Sequence, residues 1–161
     1  MRGLSFIVSG ELYTVDVTRV QKVARKLAIT PVPSAPDEII GVANLKGRVV
    51  TVLSLDKLLD SDKQSDLGRY VNTIIFKSSS STEDQMGIAV EKPGDLIDID
   101  QEAVKPTPAT SGTDGSLCIS GVTEIADKFY RIIDIEYIRS RYMSGNDTGA
   151  VKSSFGGAES D

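Results

Sequence analysis

The stretch Gly41 to Leu59 is answered eighty residues further on by Gly121 to Ile138, and the two align without a gap. Gly41 falls on Gly121, Val42 on Val122, Leu45 on Ile125, Val52 on Ile132, Leu53 on Ile133, Leu55 on Ile135 and Leu58 on Ile138. Arg48 and Asp56 meet Lys128 and Glu136, so the charge pattern is kept as well. Self-similarity over such a distance signals one structural unit used twice. Its chemistry favours β structure. Val49 to Leu55 is rich in β-branched residues behind a glycine-containing turn, as a buried strand is. Asp56 to Leu59 then reads as one short helical turn with an acid near its start. Gly41 and Gly47 are expected to punctuate the turn before that strand, where backbone freedom or close approach is needed.

The rest of the chain supplies partners of the same kind. Leu4 to Ser9, Gly10-Glu11 and Leu12 to Val17 predict a hairpin, with Tyr13, Val15 and Val17 buried and Thr14 and Asp16 wet. Valines three apart in Val17 to Ala24 suggest a brief helical turn leading into a strand. Three prolines between Thr30 and Pro36 exclude helix and central strand there, and Pro36 to Ile40 reads as a turn. Tyr70 to Phe76 and Met86 to Val90 are strands, the second echoing Thr14 to Val17, with the serine-rich 77–85 segment as a loop. Glu91 to Asp95, holding Pro93 and Gly94, should break the strand that precedes it, and Leu96 to Asp100 is a further short strand. Asp60 to Arg69 and Val104 to Gly115 read as connections. Ile135 to Tyr142 is a closing helix with basic residues at its end. Ser144 to Asp161 is expected to be a disordered, dispensable tail.

About ten short strands in two groups are thus expected, each group opening on a hairpin and closing on the repeated unit. Short strands with glycine turns point to small barrels, which hide strand edges. Lobes of roughly 70 residues would be marginal alone, so they should share burial.

Several functions are excluded or disfavoured. With 161 residues and a net charge of −5, no basic stripe is available to neutralise phosphates. No run approaches the roughly eighteen apolar residues of a membrane span, and the first residues enter a strand with no room for a signal peptide. There is no histidine and only one cysteine, Cys118. Histidine relays and the usual zinc sites are therefore excluded, no disulfide can form within the chain, and a reducing cytosol is expected. No phosphate-binding glycine loop occurs. Asp95, Asp98, Asp100 and Glu102 lack the glycine and bidentate glutamate of a calcium loop and read as a solvated face.

Val20-Gln21-Lys22-Val23, Thr30-Pro31-Val32-Pro33 and Gly41-Val42-Ala43-Asn44-Leu45-Lys46-Gly47-Arg48 together resemble the CheW family of chemotaxis coupling proteins. The likeness extends from Phe6 to about Tyr142. It implies an all-β fold of two intertwined five-stranded SH3-like barrels with a C-terminal helix, in a single CheW-like domain over residues 1–143. It also implies a non-enzymatic cytoplasmic adaptor, without cofactor or metal, working at chemoreceptor arrays. Its partners would be the regulatory domain of the histidine kinase CheA and the cytoplasmic tips of methyl-accepting chemoreceptors. Carried over position by position, the receptor contact would involve Val20, Val23, Gly41 and Lys46, and the kinase contact Leu45 and Arg48. Lys46 stands where the family has arginine. A lysine keeps the charge and loses the bidentate fork, and the repeat-equivalent Ala126 can supply neither.

Residue type alone makes Val20 and Val23 core residues and Lys46 a solvated turn charge. Two other classes fit less well. A carboxylate-based hydrolase on a small barrel would need paired acids in a pocket, and this chain has no tryptophan to form a sugar platform. An SH3-like module for proline-rich peptides would need an aromatic groove, whereas Tyr13, Tyr70, Phe129 and Tyr130 fall mostly in the buried phase of strands.

Overall fold

The computed structural model describes residues 1–59, 71–78, 84–106 and 117–143. Its strands are β1 (Arg2–Val8), β2 (Glu11–Asp16), β3 (Val20–Arg25), β4 (Ile39–Leu45), β5 (Arg48–Ser54), β6 (Asn72–Phe76), β7 (Gln85–Val90), β8 (Lys92–Asp98), β9 (Ile119–Ile125) and β10 (Lys128–Ile133). Two helices follow the repeated unit, α1 (Leu55–Leu59) and α2 (Ile135–Tyr142). Single 3₁₀ turns occur at Val17–Arg19 and Gln101–Ala103.

The strands form two five-stranded sheets, ordered β8-β1-β2-β10-β9 and β3-β6-β7-β5-β4. Position for position these are one topology used twice. In each, a unit hairpin (β9–β10 or β4–β5) lies parallel to the second strand of a simple hairpin, through β10 with β2 and through β5 with β7. The grouping differs from the expected one. The lobe of β3 to β7 is continuous in sequence, and the other is split, its first hairpin joining the last three strands. Similarity along the chain cannot reveal this, because either hairpin could complete either unit.

Each sheet is closed on itself by a short crossing. The chain leaving β3 at one edge reaches Thr30, which pairs with Val42 on the opposite edge strand through hydrogen bonds of 2.8 and 2.9 Å. The chain leaving β8 likewise reaches Lys105, which pairs with Val122 at 2.8 and 2.9 Å. Gly41 and Gly121 make these crossings possible. A Cβ on Gly41 would lie 2.3 Å from the Thr30 carbonyl oxygen, and one on Gly121 would lie 2.5 Å from Val104 Cγ1 and 3.0 Å from the Lys105 oxygen. Gly41 therefore sits inside a strand, not in a turn. Most of the stretch between Gly41 and Gly47 belongs to β4, which pairs with β5 along its length and, at Val42, with Thr30 on its other side.

Turn chemistry is the same in three hairpins. Ser9-Gly10, Lys46-Gly47 and Ala126-Asp127 all have positive φ at both central residues, as two-residue type I′ connections require. Other expectations are corrected. β7 does end at Val90, but the next strand begins at Lys92 rather than Leu96 and so includes Pro93 and Gly94; it is an edge strand, where a missing N–H is tolerated. Gln85 opens β7 and is buried, not part of a loop. Thr14 is fully buried because its hydroxyl donates to the Leu4 carbonyl at 3.1 Å. Phe129 is 64 % exposed although it lies on β10. The predicted connection 60–69, the central parts of the serine-rich and 104–115 loops, Tyr70 and the predicted tail 144–161 lie outside the described residues.

One apolar core serves both sheets. Phe6, Val8, Tyr13 and Val15 from one lobe join Val50, Leu53, Ile74 and Ile88 from the other, with Leu55 and Leu58 of α1 and Ile135 and Ile138 of α2. Polar contacts also cross between lobes. The Ser9 hydroxyl donates to the buried Asp56 carboxylate at 2.8 Å, and Arg139 on α2 donates to the Lys77 carbonyl. Tyr13 stacks on Phe6 with ring centroids 5.7 Å apart, and the Arg131 guanidinium lies 5.9 Å from the Tyr13 ring centre.

Two outcomes follow from this packing. Gly41→Ala should lose about 1–3 kcal/mol, as overpacking does, a fall of roughly 2–12 °C in Tm at about 2–4 °C per kcal/mol for a chain this size. Gly121→Ala should lose less, since its nearest obstacle is a side-chain methyl that can turn aside; thermal melts of the two variants check the order. Burial also raises the Tyr13 pKa above 10.0, with Arg131 pulling the other way. The unfolded chain then releases the tyrosine proton first, so stability present below pH 10 is lost as the pH rises through the folded value. Urea midpoints measured from pH 8 to 11 should fall above pH 10, and less steeply in Tyr13→Phe.

Candidate functional site

The candidate residues fall on two elements, each built by local sequence. Asp16 ends β2: its carboxylate accepts from the Thr18 backbone N–H at 3.0 Å and from the Thr18 hydroxyl at 2.8 Å. One 3₁₀ turn then launches β3. There Val20 pairs with Phe76, Lys22 with Ile75 and Val23 with Ile74, and Gln21 is the extra residue between. Phe76 and Ile74 are two apart on β6 and share a face, so Val20 and Val23 share one too. In an unbulged strand residues three apart would face opposite ways. Val20 is half-buried against the core, while Val23 is 37 % exposed. The core reading thus fails for Val23.

The second element is the tip of the β4–β5 hairpin. Leu45 and Arg48 face each other across the turn, and Lys46 is exposed at its apex with φ 53°. Asn44 Oδ1 accepts from the Gly47 N–H at 2.9 Å and pins the turn. Arg48 Nη2 donates to Ser78 Oγ at 2.8 Å, tying the tip to the end of β6. The structure therefore brings Leu45, Lys46 and Arg48 together at one tip, and Val20 and Val23 together on one strand face. β3 and β4 are opposite edges of their sheet, joined through the Thr30 crossing. Gly41 is buried at that crossing; it offers a partner no side chain, and its function there is to leave room.

Elsewhere an open cleft of about 400 Å³ lies between the end of β2 and the start of α2, lined in part by Asp16, Arg19, Asp134 and Glu136. Its acids hold structure. Asp134 Oδ1 accepts from the Tyr137 N–H at 3.0 Å as the α2 cap, and Glu136 pairs with Arg19. In the acidic run, Asp98 pairs with Arg2 at 3.2 Å and Asp100 caps the turn at Glu102. Among the described residues no group of three or more histidines, cysteines or acids could hold a metal ion, and no helix is long and apolar enough to cross a membrane. Sequence reasoning missed the bulge at Gln21 and the exposed Phe129. A glutamine between two valines carries no bulge signal, and an aromatic on a strand reads as buried.

Two closed β lobes sharing one core, with candidate residues on an edge strand and a hairpin tip, define a two-lobed β module. The comparisons with known proteins supply the family. A model of the CheW-like domain matches residues 2–142, and the chain belongs to that family. The chemotaxis protein CheW of Klebsiella aerogenes is 25% identical over 137 residues, covering 85% of this chain and 80% of that one. CheW of Helicobacter pylori is 26% identical over 140 residues, with 86% and 81% covered. The crystal structure of the scaffolding protein TtCheW from Thermoanaerobacter tengcongensis superposes with a TM-score of 0.70 at 26% identity, covering 83% of this chain and 88% of that one.

Lys46 is at a conformational cost. A lysine in the left-handed region is disfavoured by roughly 1–2 kcal/mol, while Asn-Gly is the preferred type I′ pair. Lys46→Asn should therefore raise Tm by about 2–4 °C, equivalent to ~1 kcal/mol, measured by thermal melting. No increase would mean that Lys46 gains compensating contacts.

Proposed function

We propose that this chain is a non-enzymatic adaptor that couples chemoreceptor cytoplasmic tips to the regulatory domain of the kinase CheA. It would act in the cytoplasm at receptor arrays. The observation that carries this reading is the CheW-like match over residues 2–142. In this reading Val20 and Val23 on β3 offer apolar contacts to the receptor and Lys46, at the tip beyond β4, a cation, with Gly41 letting the sheet close between these two edges. Leu45 and Arg48, on the flanks of the same tip, face the kinase.

Charge reversal tests it. Lys46→Glu should leave Tm within the shift expected for ±0.5 kcal/mol. It should weaken assembly with receptor and kinase about tenfold, ~1.4 kcal/mol, because attraction at the contact becomes repulsion. Lys46→Arg should bind at least as well as the parent chain, since the guanidinium restores the fork. Ala126→Glu, at the repeat-equivalent turn, should change neither. Co-sedimentation of the ternary complex reads all three, and equal assembly by the parent chain and Lys46→Glu would remove Lys46 from the contact.

A further inference from the structure

The shared face of Val20 and Val23 exists only because Gln21 is inserted without a partner on β6. A bulge re-aims the side chains beyond it, and without it Val23 would turn to the opposite face of β3. What holds the bulge is visible one strand further in. Gln85, the first residue of β7, is 2 % exposed, an unusual place for a long amide side chain. Its Nε2 donates to Gln21 Oε1, reaching across the end of β6 to the bulged residue. β6 ends there at Phe76, the residue paired with Val20, so the amide pair bonds where the backbone ladder skips a residue.

We infer that Gln85 is a positioning residue for receptor binding: its buried amide fixes Gln21 in the bulge and thereby sets Val20 and Val23 on one face. This rests on the receptor contact proposed above. The repeat gives a comparison within the molecule. The strand equivalent to β3 is β8, and it too carries an extra residue, Gly94 and Asp95 standing opposite Ser5 alone on β1. That bulge is held by a different bond, the Ser5 hydroxyl donating to the Asp95 carbonyl at 2.9 Å, so the buried amide pair is what is particular to the lobe that bears the candidate contact residues. A buried hydrogen-bonding side chain commits its neighbour to one geometry, because breaking the bond leaves a polar atom without water.

The test uses the full chain and a soluble fragment of one receptor's cytoplasmic tip, with the CheA regulatory domain as a second ligand, both by calorimetric titration. Gln85→Met removes the donor at similar volume, and Gln21→Leu, at an exposed position that folding tolerates, removes the acceptor. Each should weaken the receptor fragment about tenfold, and the double variant should be no weaker than either alone, as coupled partners are. Gln21→Glu keeps an acceptor for the Gln85 amide and should bind like the parent chain. Affinity for the kinase domain should be unchanged throughout, and backbone amide resonances of Val20 to Val23 should shift only in the two weakened singles and their double. Unchanged receptor binding by Gln21→Leu, or kinase affinity falling in step with it, overturns the positioning role. Val23→Asp separates the two levels: if it abolishes receptor binding while Gln21→Leu does not, only the amide pair is dismissed. If Val23→Asp also binds normally, the receptor contact itself is wrong and the inference falls with it.

Discussion

Closure of each sheet over a glycine is the constraint from which the remaining architecture follows. A five-stranded sheet left open would expose two edges of unpaired backbone groups, with a standing risk of pairing to other chains. Here one residue, Thr30 or Lys105, crosses from the trailing edge to the leading one and exchanges two hydrogen bonds with Val42 or Val122. The crossing passes so near the strand that a single methyl group at Gly41 would occupy the space of the Thr30 carbonyl. That explains why the repeated unit begins with glycine in both copies although neither glycine has a positive φ.

The helices ending the two units join the lobes. Asp56, at the start of α1, is buried and receives the hydroxyl of Ser9 from the other lobe's first turn. Its repeat-equivalent Glu136, at the start of α2, is exposed and pairs with Arg19 on the connector between lobes. α2 instead reaches the neighbouring lobe through Arg139 and the Lys77 carbonyl. Equal positions in the repeat thus have unequal burial, one acid inside the seam and one at its rim. Each helix also puts isoleucines or leucines into the common core, so neither lobe completes its burial alone. Small β units of this size gain stability by such sharing.

Most strands were legible because alternation and β-branched runs report burial directly, and the gapless repeat announced that one topology is used twice. What stayed hidden has physical causes. Val42 to Leu45 is too short and too close to Gly41 and Gly47 to read as a strand, yet pairing with β5, and of Val42 with Thr30, makes it one. Pro93 suggested a break because sequence does not show which strand will be an edge. The split lobe was invisible because pairing between residues more than a hundred positions apart leaves no local trace. At the candidate site, Lys46 was recognisable as a turn residue beside Gly47. The valines three apart announced a helical turn leading into a strand, as Val17–Arg19 and β3 are, but nothing in them announced the insertion of Gln21. Gln85, buried and polar, looked like the end of a loop.

The split lobe has a consequence for how the chain is born. β1 and β2 leave the ribosome about 110 residues before β10, the strand that lies parallel to β2. At 5–20 residues per second that interval is roughly 6–20 s. The continuous lobe, β3 to β7, can assemble within it, whereas the first hairpin must wait with its β2 edge open. During the wait its apolar face, carrying Phe6, Tyr13 and Val15, can rest against the lobe just formed, which already offers the other half of their final core. The nascent chain thus carries its own temporary shelter for an unpaired edge, and the last strands convert that shelter into a permanent seam.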